Sequence, residues 1–237
     1  MAATGPLDAR LALEAPVGPR TLADRAFIEL RDAIISVRLE PGQRLRLDEV
    51  AQQLGMSVMP VREALRRLEA AALIEVEPHR GATVSRLSSS ELVEVFDLRR
   101  LIEVAAVRRA AGAFDDTDAA AARAALADYG SALLGESFGD VTESHVRFHL
   151  ALYRADGQPW LVRSLMPLWE TSSRYWNWVK RAGWQADNLL HAHERLLELC
   201  VAGEEDGAAA ELDRHLLSGR DMLMAQVAAA VPAPAVV

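Results

Sequence analysis

Cysteine is almost missing from this chain: Cys200 stands alone among 237 residues, so no internal disulfide can form. That usage fits a reducing compartment, and a cytoplasmic protein is expected. No apolar run approaches the roughly twenty residues that a membrane span needs. The opening stretch, MAATGPLDARLALEAPVGPR, lacks the basic start and apolar block of a secretion leader. Aromatic residues are scarce at 5%, whereas alanine is abundant, a balance that leans towards helix. The 51% of hydrophobic residues is enough for a real core and excludes wholesale disorder. An excess of positive charge is absent too: the net charge of -8 argues against a protein that coats nucleic acid without specificity.

The charge is unevenly spread. Residues 20–86 carry 11 basic against 10 acidic side chains, while residues 87–237 carry 14 against 22. A near-neutral front and an acidic back suggest two domains with different partners. Residues 1–20, with three prolines and two glycines, read as a mobile tail. Leu22, Ala26, Leu30 and Ile34 recur at helical spacing, and PGQRL at 41–45 reads as a turn. Two helices follow, the first ending at Gly55. LIEVEPHRGATVSRL then alternates around a Pro-His-Arg-Gly turn, as a β-hairpin does. From Ser88 to about Val227 the pattern is helical, with breaks that give about six helices, a bundle. The expected fold is therefore mainly α: a small winged head over 21–87, an all-α bundle over 88–228, and a frayed tail over 229–237.

DEVAQQLGMSVMPVREALRRLEA has the physical marks of a helix-turn-helix. Ala51 is small enough for a second helix to cross closely. Gly55 suits a left-handed turn residue, and Val61 faces back into the corner. Ser57 is placed to cap the second helix, and Pro60 falls in its first turn, where it is tolerated. Val61, Leu65 and Leu68 form the buried stripe, leaving Val58, Met59, Arg62 and Arg66 on another face. The N-terminal part of such a helix meets base edges or phosphates in a major groove. The hairpin would then be a wing with His79, Arg80 and Gly81 at its tip. The candidate DNA-contacting set is Arg46, Ser57, Val58, Met59, Arg62, Arg66, His79, Arg80 and Gly81.

The histidines of the back half raise a separate question. His145 and His149 are four residues apart and share one helix face. His193 lies eleven residues before Glu204 and His215 eleven after it, with Gly203 and Gly207 bracketing a turn. In an antiparallel helix pair this puts the two at equal height, about 16 Å from the turn. Four imidazoles from three helices would suit zinc, nickel or a related ion. His191, offset by two from His193, is expected at the surface, and Cys200 in the core. The stretch 169–184 holds four of the five tryptophans and Tyr175. Packing is the first expectation for them, with Arg174 and Asn177 as candidate polar contacts to a ligand.

PGQRL followed by EVAQQLGMSVMPVREALRRLEAAALIEVEPHRGATV resembles the winged-helix head of GntR-family bacterial transcription regulators, and the VREALRRLE and HRGA stretches resemble the FadR-type branch. The resemblance aligns Arg62 with the recognition-helix arginine, Ser57 with a capping Ser or Thr, and Gly81 with the wing glycine. It departs at Ser57-Val58-Met59-Pro60: an arginine usual at position 58 is missing, which implies a shifted operator preference, with Val58 and Met59 available to a thymine methyl. Residues 88 to about 226 resemble the helical effector-binding domain called FCD. Its metal-binding members carry Asp-x-x-x-His and then two histidines about 22 apart. His149, His193 and His215 match, and His145 takes the place of the aspartate.

The resemblance implies a dimeric regulator, by default a repressor, that binds a palindromic operator and a small carboxylate metabolite anchored by the ion. Four neutral imidazoles leave an ion's charge uncompensated and should draw an anion more strongly. Arg99 matches a cavity-facing position and could clasp a carboxylate, or form a surface ion pair with Glu103 one turn away. Two alternatives stand beside this reading. One is a metal sensor whose ion is itself the signal, or a site that has lost its metal and binds by hydrogen bonds. The other is a metal-dependent hydrolase, for which no general base is evident.

Overall fold

A computed structural model describes residues 21–77, 81–135, 138–153, 159–181 and 189–230. The head begins with α1 (Leu22–Ile35), started by a capping box: the Asp24 amide donates to Thr21 Oγ1 at 3.0 Å and the Thr21 amide to Asp24 at 3.1 Å. Its Ala26, Leu30, Ala33 and Ile34 are buried, so the helical period of the sequence becomes one packed stripe. α2 (Leu47–Leu54) stops at Gly55, whose φ of 63° is the left-handed turn. α3 (Val58–Ala70) buries Val61, Ala64, Leu65 and Leu68 against α1 and α2. The Asp24–Arg67 pair at 2.7 Å fastens α1 to α3, with Arg67 also lying over the Phe27 ring.

The wing is larger than a hairpin. β2 (Ile74–Glu77) and β3 (Gly81–Val84) pair antiparallel, and β1 (Arg44–Leu45) pairs with β3 from the other side. The last two residues of PGQRL, expected in a turn, are therefore a strand. Two residues are too few to show any alternation. Gly81 has φ 91°, and a Cβ there would lie 3.3 Å from the Leu45 carbonyl oxygen, so both backbone and space favour glycine.

Six helices make up the back domain among the described residues: α4 (Ser89–Gly112), α5 (Asp116–Leu133), α6 (Phe138–Tyr153), α7 (Pro159–Arg181), α8 (Leu189–Val201) and α9 (Glu205–Ala230). Ser88 and Asp115 cap α4 and α5. α8 turns back into α9 over 202–204, where Gly203 has φ 69°. Phe96, Phe148, Leu165, Leu212 and Leu223 lie in one continuous core. Cys200 belongs to it, fully buried, and burial pushes its thiol up to about 12. No helix among the described residues is long and apolar enough to cross a membrane.

The head sits on α7. Asn177 Nδ2 donates to the Ile35 carbonyl at 2.9 Å and Arg181 to the Val37 carbonyl at 3.3 Å. The Ile35 carbonyl is the last of α1, where helical acceptors lack intrahelical partners, and the Val37 carbonyl lies two residues beyond it. Arg174 Nη2 donates to the Ser85 carbonyl at 2.6 Å, and Tyr175 bonds both the amide and the carbonyl of Ser88. Arg31 and Glu170 add an ion pair at 3.5 Å. Val37, just beyond α1, holds φ 57°, a costly value for a β-branched residue.

Candidate metal centre

α6 turns His145 and His149 inward on successive turns, α8 supplies His193 and α9 supplies His215. One ligand atom from each falls within 4.8 Å of all the others. His145 Nε2 lies 2.9 Å from His193 Nε2 and 3.2 Å from His149 Nε2. The rings of His193 and His215 meet across the α8–α9 turn at 4.5 Å. Two nitrogens bound to one ion at about 2.1 Å stand about 3.0 Å apart at a right angle and about 3.4 Å apart at the tetrahedral angle. The two shortest spacings lie close to that range and the others reach up to 4.8 Å, so the donor set suits a divalent first-row ion once the wider-spaced rings draw in. His191 is exposed and pairs with Glu194 at 3.4 Å, away from the cluster.

The surroundings keep three of these imidazoles neutral. Burial first, then the charges of neighbouring histidines and of Arg99, hold His145, His149 and His215 well below the usual histidine range. A neutral ring is the form that ligates a metal. Tyr129 of α5 packs its ring 5.1 Å from both His145 and His193, and Phe148 lies 5.4 Å from His149 and His193. Lys180, the chain's one lysine, places its charge close enough to weigh on His145, and burial pushes its ammonium down to about 8.

Beneath the histidines lies a polar network that the sequence reading missed. Glu103 is fully buried, yet three donors reach it: Arg99 Nε at 2.6 Å, Tyr153 Oη at 2.7 Å and Trp169 Nε1 at 3.2 Å. Arg99 Nη1 also donates to Ser172 at 3.2 Å. His149 Nδ1 lies 3.1 Å from Tyr153 Oη. Of the two roles open to Arg99, the Glu103 ion pair is made, and it lies in the core, not at a wet surface. The signal for Tyr153 was present: it continues the four-residue step of His145 and His149 by one more turn.

Arg174 and Asn177, expected beside a ligand, stand instead at the seam between head and bundle, both buried. α7 presents them to backbone carbonyls that need donors. Asn177 does connect to the site helix, because its Oδ1 accepts from Thr142 Oγ1 at 3.0 Å, one turn before His145. In the head, Met59, Arg62, Arg66 and Arg46 lie exposed, Met59 at 69%, while Val58 is half-buried. Arg66 and Arg46 make only loose pairs with Glu63 and Glu49, at 3.8 and 3.3 Å. Ser57 occupies the cap position of α3, but its hydroxyl makes no capping bond, a correction to the expected role. His79 and Arg80 lie outside the described residues.

A helix-turn-helix with a small winged sheet, joined to a helical bundle, defines a class of DNA-binding transcription regulators. Residues 22–84 match the model of the gntR family of bacterial regulatory proteins, and residues 94–218 match that of the FCD domain. The Nta operon transcriptional regulator of Aminobacter aminovorans is 28% identical over 199 residues, 83% of this chain and 92% of that protein. The HTH-type transcriptional repressor GlaR of Escherichia coli is 28% identical over 197 residues, 80% of this chain and 90% of its own. The solved structure of E. coli McbR/YncC superimposes with a TM-score of 0.75 at 25% identity, covering 87% of this chain and 99% of that one. This chain belongs to the GntR family of bacterial transcriptional regulators and carries an FCD domain. The hydrolase alternative falls away, since the matched families and relatives are regulators.

Proposed function

We propose that this regulator binds a palindromic operator as a homodimer, and that its bundle holds a small organic acid through a divalent ion, zinc or nickel, at His145, His149, His193 and His215. The convergence of four imidazoles from three helices within 4.8 Å carries this reading. Neutral ligands leave the ion's charge uncompensated, and the nearby charge of Lys180 adds to the attraction for an anion. Arg99 would reach such an anion only by loosening its hold on Glu103 or Ser172. The hydrogen bonds from Thr142 through Asn177 to the Ile35 carbonyl give α6 a route to the head. Repression relieved by ligand is the sense we assign.

Metal analysis of the purified chain tests the reading: one ion per chain is expected, lost in His149→Ala. A protein that retains no ion after incubation with zinc or nickel would overturn the metal site. Operator binding is tested separately. Arg62 is exposed on α3, so Arg62→Ala should weaken operator affinity by at least about tenfold and leave the melting temperature unchanged. Fluorescence anisotropy on DNA upstream of the gene reads this. Unchanged affinity would remove Arg62 from the interface.

A further inference from the structure

The inference rests on the reading of the four histidines as a metal site and concerns what prepares one of them. Tyr153 has a single hydroxyl hydrogen, and it is directed to Glu103 at 2.7 Å. Arg99 and Trp169 occupy the other oxygen of that carboxylate as pure donors, so neither can accept the Tyr153 hydrogen. With its hydrogen given to Glu103, the Tyr153 oxygen can only accept from His149 Nδ1, 3.1 Å away. His149 therefore carries its hydrogen on Nδ1, and its Nε2 presents a lone pair to the cluster. His145 Nε2, 3.2 Å from that lone pair and 2.9 Å from His193 Nε2, must supply the hydrogen between them. One ring is thus set for a cation in advance, and a single hydrogen of His145 stands where the lone pairs converge.

We propose that Tyr153, held by Glu103, is a positioning residue that locks His149 in the Nδ1-protonated form and thereby sets the affinity of the cluster for a divalent cation. In metal sites a ligating histidine commonly donates its second nitrogen to a carboxylate or carbonyl, which fixes the ring and raises its basicity. Here the carboxylate acts through a phenol. Glu103 sits on α4 and Tyr153 on α6, so the relay also fixes the ring relative to a helix that supplies no ligand. The carboxylate that is absent among the four ligands is in this way present two hydrogen bonds behind one of them.

Two measurements on the full chain decide it. In metal-stripped protein with 15N-labelled histidine, long-range ring correlation spectra should show His149 protonated on Nδ1. In Tyr153→Phe, which keeps the buried ring and removes only the hydroxyl, that preference should be lost. Zinc affinity, titrated against a competing chelator, should fall by about ten- to hundredfold in Tyr153→Phe. A His149 hydrogen on Nε2 in the wild type overturns the relay, even if the variant does not fold. So does an unchanged zinc affinity in a folded Tyr153→Phe. A wild-type chain that takes up no zinc overturns the metal reading and the affinity claim with it, while the ring spectrum still decides the tautomer.

Discussion

Glu103→Ala is expected to destabilise the protein by about 3–5 kcal/mol, because it breaks a buried ion pair from one side. Arg99 is only 3% exposed, so its guanidinium would be left as an uncompensated charge in the core. Trp169 and Tyr153 would lose their acceptor at the same time, and each stranded polar group adds to the cost. The effect should be read as a fall in the urea midpoint without change in slope. Arg100→Ala provides the contrast. Its pair with Asp213 is equally short at 2.7 Å, but both side chains are about one-third exposed, so solvent screening limits that loss to about 0–1 kcal/mol. Equal losses in the two variants would show that burial does not govern the Glu103 network.

Acid should act on the metal-stripped protein with comparable force. His145, His149 and His215 are held neutral, chiefly by burial, well below the ordinary histidine value. In the unfolded chain the same rings take up protons at about 6.5. Below that pH the unfolded state binds more protons than the folded one, so stability falls as pH falls. Above it neither state is protonated and the histidines contribute no slope. Each ring should remove about 1.4 kcal/mol per pH unit while its folded form stays neutral, about 4 kcal/mol per unit for the three. Urea midpoints at pH 7.5, 6.5 and 5.5 would show a plateau and then a steep decline. A flat profile across that range would mean that the rings are hydrated in the fold.

The elements that could be read in advance were those whose signal lies within one helix or one turn. Leu22 to Ile34 announced α1 through its period, and Gly55 announced the corner of the helix-turn-helix. Counting outward from the α8–α9 turn brought His193 and His215 to one height. What escaped was set by partners distant in sequence. Glu103 looked like the solvated half of an i,i+4 pair, and only the approach of α6 and α7 makes it the centre of a buried network. Asn177 and Arg174 carried the right chemistry for a ligand, yet the carbonyls they satisfy belong to Ile35 and Ser85, about 90 to 140 positions away. The strand at Arg44–Leu45 was too short to carry a pattern.

The seam on α7 has one more consequence. The last carbonyl of α1, that of Ile35, finds its donor in the bundle, and the Val37 carbonyl just beyond it accepts from Arg181. The head is thus not a finished module that a linker merely tethers; part of one of its helices is completed from outside. Separating the two domains would leave the Ile35 and Val37 carbonyls without these donors. A net hydrogen bond contributes about 0.5–1.5 kcal/mol, so exchanging two or three of them spans the 1–3 kcal/mol over which ligand and DNA sites are usually coupled. On the function proposed above, a joint of that strength holds the angle of the head until a bound effector shifts it.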